Sequence, residues 1–257
     1  MTNRRAIIFP LVVCLTGLAV ALLRTSSNKL AADVTFETLD INGTPREYRL
    51  VFPHALRGQD QLPLVVALHG AIDRTEEMAA HTGFDQVAVD KGFVLAYLQG
   101  RNLNWPPEIP DVNPDVMVPD LEFFETFCDH MVKRNGVDAR RIYVFGVSQG
   151  GAMANVLTAF CSHRIAATIC NCGWLPEPLG QTPLPTTYKC PMLFVVGDKD
   201  NQVSPTSTRA ACDAFEAAGH PVQFLVIPNH GHGWPNHLGI NDTAWDFLSQ
   251  HRQPAPL

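Results

Sequence analysis

One serine in this sequence stands in a setting that could make it a nucleophile. Residues 146–150 read GVSQG, a Gly-x-Ser-x-Gly pattern centred on Ser148. An apolar run over 142–145 precedes the pattern and predicts a strand, and residues 150–154 (GGAMA) begin a predicted helix. A sharp turn from a strand into a helix strains such a serine, and it requires glycines because side chains would collide there. The spacing therefore predicts Ser148 as the nucleophile of a hydrolytic reaction.

A serine hydroxyl is a weak nucleophile at neutral pH, so it needs a base and an acidic group that orients the base. Asp198 and Asp200 directly follow the apolar run 192–196. His230 and His232 follow the next apolar run, 222–227. Active-site side chains collect at the carboxyl ends of parallel strands, and the order serine, acid, histidine fits such a sheet. The residues alone leave both choices open, between the two aspartates and between the two histidines.

The reaction also needs N–H donors for the negative charge that develops on the attacked carbonyl oxygen. The backbone amide of Gln149, directly after the serine, is the first candidate. The second is the amide of Ala71, in the turn His69-Gly70-Ala71 that follows the apolar run 64–68. This chemistry requires neither a metal ion nor an organic cofactor, and we expect none.

Short runs that are apolar throughout alternate with helical patterns, which is typical of a parallel sheet covered by helices. Extended runs over 34–41 and 47–52 precede them and flank Asn42-Gly43, the strongest short signal for a hairpin turn. We therefore predict an α/β fold with a mostly parallel central sheet, helices on both faces and an N-terminal hairpin at one edge. The predicted later strands cover 64–68, 93–97, 142–145, 166–169, 192–196 and 222–227, and the predicted helices cover 121–133, 149–160, 207–218 and 242–250.

The segment 101–119 interrupts this alternation. Five prolines lie between Pro106 and Pro119, which predicts neither helix nor strand but a rim or short cap over a pocket. Asp120 then stands where the cap of the helix over 121–133 is expected. The sequence has no internal repeat and no second block of distinct composition, so we expect residues 31–257 to form a single catalytic domain.

The first 30 residues differ from the rest. Arg4 and Arg5 precede 18 uncharged residues over 6–23, the pattern of an export signal and also the lower length limit of a membrane span. We predict a signal peptide or an N-terminal membrane anchor over 1–30. The protein would then be exported, as a periplasmic, extracellular or externally anchored protein, and would contact a membrane only through this segment.

Charge excludes one class of partner. The chain has a net charge of −6, and residues 1–30 contain four basic and no acidic residues, so the remainder carries −10. Nothing in that remainder resembles a basic stripe, so a nucleic acid is not an expected partner. The expected partner is instead a small, oligomeric or polymeric substrate of the serine chemistry.

Six cysteines follow the N-terminal segment, namely Cys128, Cys161, Cys170, Cys172, Cys190 and Cys212. An even number in an exported chain favours disulfides, although six cysteines allow fifteen pairings and the sequence does not choose among them. For the two that lie in predicted helices, Cys128 and Cys161, ordinary buried thiols are the alternative.

These motifs together resemble the secreted polyhydroxybutyrate depolymerase and feruloyl esterase-like branch of the α/β-hydrolases. The resemblance implies that His232 is the base and that Asp200, the aspartate ahead of Val203, is the acid. His69, Trp105 and Trp234 lie in the shared motifs and are candidate substrate contacts. The likeness covers most of 45–250, with motifs at 68–70 (LHG), 82–85 (TGFD), 97–100 (YLQG), 137–143 (VDARRIY), 146–151, 197–203 and 231–235 (GHGWP).

The sequence departs from the family pattern at two places. Ala71-Ile72-Asp73 stand where the family often has further glycines and a cysteine, and Gln149 replaces a common asparagine. The second change should be harmless, since only the backbone amide of this residue is needed. We find in this sequence no substrate-binding module or linker of the kind that docks depolymerases on solid polymer, so we expect the depolymerase name to apply only loosely.

The resemblance implies an exported serine esterase that acts through an acyl-enzyme. Its substrates would be feruloyl or acetyl esters of polysaccharides, or short hydroxyalkanoate oligomers. Two other classes share the fold, a prolyl-oligopeptidase-like serine peptidase and a non-catalytic binding protein. The absence of a large added domain weighs against the peptidase, and the full set of serine, acid and histidine weighs against the binding protein.

Overall fold

The computed structural model describes residues 30–106, 114–177, 179–181 and 183–255. The expected signal peptide or anchor lies outside the described residues, except for Leu30. Among the helices described, none combines the length and the apolar character that crossing a membrane would require.

The described residues form eight strands that belong to one sheet. The strands are β1 (Ala32–Ile41), β2 (Thr44–Pro53), β3 (Leu62–Leu68), β4 (Val94–Leu98), β5 (Val137–Val147), β6 (Ala167–Asn171), β7 (Met192–Gly197) and β8 (Val222–Ile227). Their spatial order is β1-β2-β4-β3-β5-β6-β7-β8. The six strands from β3 to β8 are mutually parallel, whereas β1 and β2 are antiparallel to their neighbours. The predicted mostly parallel sheet is confirmed.

The predicted hairpin is the outer edge of this sheet. Strands β1 and β2 pair from Ile41 opposite Thr44 outward, so the turn between them contains only Asn42 and Gly43. Both turn residues have a positive φ, 51° for Asn42 and 82° for Gly43. Such a two-residue turn matches the right-handed twist of the flanking strands and favours this dipeptide. Strand β2 then joins the hairpin to β4.

Helices cover both faces of the sheet, as predicted. They are α1 (Thr75–Thr82), α2 (Phe84–Lys91), α3 (Pro114–Asn135), α4 (Gln149–Cys161), α5 (Pro205–Ala217) and α6 (Ile240–Ser249). Alternate residues of β3 point to opposite faces: Leu64 and Val66 pack with α3 and α4, and Val65 and Ala67 pack with α1, α2 and α6. Because both faces are dry, the central strands read as continuous apolar runs.

The sequence analysis did not predict two of the helices. Helices α1 and α2 have eight residues each and are separated by Gly83, whose φ is 64°. They bury few side chains, among them Met78 in α1 and Phe84 in α2. Two turns with so few buried positions give too weak a helical period to be recognised.

The expectation for 101–119 was wrong at its end. Helix α3 begins at Pro114 and contains Pro119, so its start lies seven residues before the predicted one. Proline is tolerated at the first helical position, as at Pro114, where the missing N–H has no partner in any case; Pro119 lies inside the helix. Asp120 is therefore not a cap. Its buried carboxylate binds Arg46 Nη2 at 2.7 Å and Arg101 Nη2 at 3.0 Å.

The six cysteines beyond the N-terminal segment are all free and buried. The disulfides that their even number favours are therefore not formed, and the buried-thiol alternative is correct. The thiols lie on separate elements of the core, Cys128 on α3, Cys161 on α4, Cys170 on β6 and Cys212 on α5. Burial raises the pKa of the Cys170 thiol to about 12, as expected for a thiol packed as a small apolar group.

Candidate active site

Ser148 occupies the turn between β5 and α4. Its backbone has φ 57° and ψ −120°, a region that an ordinary residue seldom enters. A Cβ atom at Gly146 would collide with the backbone of Gly150, and one at Gly150 would collide with the carbonyl of Leu68. The two glycines therefore let α4 start close to β3 and β5. The packing holds the strained serine at the carboxyl edge of the sheet.

A chain of hydrogen bonds joins Ser148 to a histidine and an aspartate. His232 Nε2 lies 2.8 Å from Ser148 Oγ, and His232 Nδ1 lies 2.8 Å from Asp200 Oδ2. The Asp200 side chain is fully buried, and its other oxygen accepts the amides of Gln202 and Val203, each at 2.9 Å. Because the carboxylate only accepts, Nδ1 carries the proton and Nε2 faces the serine hydroxyl as an acceptor.

The other two candidates, His230 and Asp198, take no part in this series of hydrogen bonds. His230 Nε2 is 3.2 Å from the carbonyl oxygen of Gly233 and therefore donates to it. Asp198 is exposed at the end of β7. The structure thus brings Ser148, Asp200 and His232 together, as the family resemblance implied.

The two candidate oxyanion donors flank the serine. Gln149 is the first residue of α4, where backbone amides have no partner within the helix. Ala71 lines the same cavity as Ser148. Among the described residues, no acceptor bonds the Ala71 amide. Both amides are thus available for an oxygen bound beside Ser148.

His69 is not a substrate contact, contrary to the sequence expectation. Its side chain has no exposed surface and does not line the cavity. The amide of Gly100 donates to Nε2 at 2.9 Å, so Nδ1 carries the proton and donates to the carbonyl oxygen of Gly70 at 2.6 Å. The C=O and N–H of a trans peptide point in opposite directions. Holding the Gly70 carbonyl toward the imidazole therefore turns the Ala71 amide away from it.

Trp105 also lies behind the site, with 2% of its surface exposed. Its indole N–H donates to the carbonyl of His69 at 3.0 Å, and its backbone amide donates to Gln149 Oε1 at 2.9 Å. The Gln149 side chain thus has a function that the sequence interpretation missed: it ties the start of α4 to the loop that supports His69. Of the three candidate substrate contacts, Trp234 alone lines the cavity.

The position of His69 leads to a prediction. We expect His69→Ala to lower kcat about 100-fold with little change in KM, since a misaligned oxyanion donor weakens the transition state rather than substrate binding. His69→Asn retains a donor near the Nδ1 position and should recover part of the loss. His69→Gln, which places its polar group farther out, should not. Equal losses for Asn and Gln, or a change confined to KM, would contradict this role.

The folded structure disfavours protonation of His69. Burial lowers the pKa of His69, although its bond to Gly70 opposes the shift. The neutral ring is therefore favoured in the folded state. The neutral His69 ring therefore contributes to the free energy of unfolding. The contribution is complete above the pKa of the unfolded state, about 6.5, and declines as the pH falls below that value.

The cavity beside Ser148 has a volume of about 450 Å³. Met78, Val147 and Trp234 supply its apolar wall, and Asp73 and Gln202 are among its polar residues. Sites of this size, mostly apolar with a few polar groups, are typical of pockets for small organic ligands.

A metal ion fits this site poorly. Cys172, Asp200 and His232 place three potential ligand atoms within 4.8 Å of one another. However, burial raises the pKa of the Cys172 thiol to about 12, and a metal requires the thiolate. His232 Nδ1 and Asp200 Oδ2 also bind each other already. The cluster is better described as the hydrogen-bonded pair of His232 and Asp200 with the buried Cys172 thiol beside it.

The strained serine turn, the parallel sheet and the serine–histidine–aspartate geometry define an α/β-hydrolase. A family model described as the dienelactone hydrolase family matches residues 115–246, more than half of the chain. The protein belongs to that family.

Individual relatives include proteins with esterase names. NocK of Nocardia uniformis subsp. tsuyamanensis, which carries an esterase name, is 34% identical over 66% of this chain and 49% of its own length. The bifunctional acetylxylan esterase/xylanase XynS20E of Neocallimastix patriciarum is 24% identical over 76% of this chain and 32% of its own. Feruloyl esterase B of Piromyces equi is 26% identical over 48% of this chain and 23% of its own length. The chain thus spans about half or less of these relatives.

Solved structures confirm the fold. A ferulic acid esterase superposes with a TM-score of 0.68 at 18% identity, over 86% of this chain and 99% of that one. A thermostable esterase from Pseudomonas putida ECU1011 superposes with a TM-score of 0.66 at 16% identity, over 87% of this chain and 84% of that one. The acylaminoacyl peptidase of Pyrococcus horikoshii gives 0.64 at 14% identity, over 88% of this chain but 43% of the peptidase. At these identities the likeness extends to the fold alone.

Proposed function

We propose that this protein is a serine esterase that works through an acyl-enzyme. Ser148 Oγ attacks the ester carbonyl while His232 Nε2 takes its proton, and Asp200 holds the imidazole and stabilises the imidazolium. The amides of Ala71 and Gln149 bind the oxyanion. His232 then protonates the departing alcohol, and water, activated by the same imidazole, releases the acid. The single observation that supports this best is the pair of 2.8 Å contacts on the two His232 nitrogens.

The proposed substrates are feruloyl or acetyl esters of polysaccharides, or short hydroxyalkanoate oligomers. The names of the feruloyl and acetylxylan esterase relatives support the first two classes. The cavity of about 450 Å³ has room for an aromatic or short aliphatic acyl group. We further propose that the protein is exported, on the basis of the basic and apolar pattern over 1–30.

A panel of substrates tests the proposal. We expect turnover of p-nitrophenyl acetate and of at least one feruloyl, acetylxylan or hydroxybutyrate ester, and no turnover of alanine or proline p-nitroanilides. Ser148→Ala should abolish the activity. Cleavage of the anilides with comparable kcat/KM would instead favour the peptidase alternative. Failure to turn over any ester would leave a non-catalytic scaffold.

A further inference from the structure

The cavity beside Ser148 has a one-sided distribution of charge. Apart from His232, its titratable lining residues are Asp73 and His81, and none of the lining residues described is lysine or arginine. The nearby Arg74 lines a different pocket, with Thr38 and Glu47. A substrate in the cavity therefore meets one carboxyl group and no permanent cation.

The backbone fixes Asp73 in this position. Its amide donates to the carbonyl of Leu103 at 3.3 Å, and its carbonyl accepts from Gln99 Nε2 at 3.2 Å. Asp73 Oδ1 accepts the Arg74 amide at 2.8 Å, and Glu77 Oε2 accepts the same amide at 3.1 Å. Asp73 is thus held at the start of α1, three positions after Gly70, with its carboxyl group beside a second one.

Opposing contacts act on the ionisation of Asp73. Burial, with the adjoining Glu77, raises the pKa of Asp73, while His81 opposes the shift. The Arg74 amide, which donates to Oδ1, also opposes the shift and favours the ionised carboxylate. His81 is exposed, so water screens its electrostatic effect on Asp73.

We propose that Asp73 determines the charge preference of the cavity: esters whose bound part is uncharged or cationic are accepted, and those whose bound part carries a carboxylate are rejected. The inference rests on the proposed esterase function of the same site. A carboxylate there would face Asp73 without a compensating cation. Like charges in a partly desolvated cavity repel, and the repulsion is felt in both binding and the transition state.

Two matched pairs of esters test this inference, one for each part of the substrate that can occupy the cavity. The first pair is the mono-p-nitrophenyl ester of adipic acid and that of its half-amide. The second is the hexanoate ester of p-hydroxybenzoate and that of p-hydroxybenzamide. In at least one pair, wild-type kcat/KM should favour the amide by about tenfold, as expected for two unit charges several ångströms apart at a half-solvated site.

Asp73→Asn should remove this preference. The variant keeps Oδ1 as an acceptor for the Arg74 amide, and the readout is the ratio of kcat/KM between the two esters of a pair, measured within each variant. The matched control is Asp90→Asn, which removes one exposed carboxylate on α2 without touching the cavity. It should leave the preference unchanged, which separates a local effect from one of net charge.

The outcomes distinguish the two proposals. Absence of turnover for all four esters would overturn the esterase proposal and this inference with it. Turnover without a charge preference in either pair, or an equal change in the two variants, would overturn the inference alone. Salt dependence of the wild type is a further test. Raising the salt concentration should reduce the ratio of kcat/KM between the amide and the carboxylate ester. A ratio that does not change with salt would also contradict the inference.

Discussion

Replacing Asp200 by asparagine is expected to lower kcat/KM by about 10,000-fold, the loss typical of a triad whose histidine is held in the wrong tautomer. Asp200 Oδ1 accepts two backbone amides, those of Gln202 and Val203. An asparagine must keep its carbonyl oxygen there, since its NH₂ group cannot accept. The NH₂ would then donate to His232 Nδ1, which favours the tautomer that carries its proton on Nε2. The histidine could no longer accept the proton of Ser148.

The matched control is Asp198→Asn. Asp198 lies two residues earlier, is exposed, and has the same side chain. Its replacement should change kcat/KM by less than about threefold, since a surface charge that is open to water acts weakly on the site. Steady-state kinetics on p-nitrophenyl acetate, with circular dichroism to verify folding, measures both. A larger loss for Asp198→Asn would assign the acid to that residue instead.

Replacing Asp120 by alanine is expected to destabilise the fold by about 3 kcal/mol, because removal of one partner leaves a buried charge uncompensated. The Asp120 side chain is fully buried and that of Arg46 is 4% exposed, with 2.7 Å between Oδ1 and Nη2. The guanidinium would retain the carbonyls of Pro119 and Gln99, at 3.2 and 3.3 Å, but no carboxylate. Burial already lowers the pKa of Arg46, and Asp120 opposes that shift. Urea unfolding measures the loss.

An exposed ion pair supplies the control for this experiment. Arg209 Nε and Asp213 Oδ1 lie 2.8 Å apart on α5, with about half of each side chain exposed. Asp213→Ala should cost less than about 1 kcal/mol, as is usual for surface pairs. The double replacement Arg46→Met with Asp120→Leu should recover part of the stability, because it removes both buried charges. Equal losses at Asp120 and Asp213 would show that the buried pair has no special contribution.

The sequence predicted those features that short segments determine. Each central strand is an apolar run because both faces of the sheet are buried, and the Asn42-Gly43 turn has a local steric cause. Ser148 could be assigned because the glycine pattern around it and the apolar run before it are local, although Gly150 is also required by its contact with Leu68, far back in the chain. The choice of Asp200 over Asp198 was different: it rested on the family resemblance, since the contact with His232 joins positions 32 residues apart.

The features that the sequence did not predict depend on distant contacts. Asp120 was interpreted as a helix cap because its partner, Arg46, lies 74 residues away on β2. His69 was taken for a substrate contact, although the amide that occupies its Nε2 belongs to Gly100, on another loop. The side chain of Gln149 bonds a backbone amide 44 residues earlier. No local pattern of residue types encodes these pairings.

The nucleophilic role of Ser148 can be tested directly by labelling with a fluorophosphonate, followed by mass spectrometry of the intact protein and of its peptides. We expect one adduct per chain on the wild type, located on Ser148 and dependent on His232, and none on Ser148→Ala. A variant that folds normally and is still labelled, or a wild-type adduct on another residue, would contradict the account.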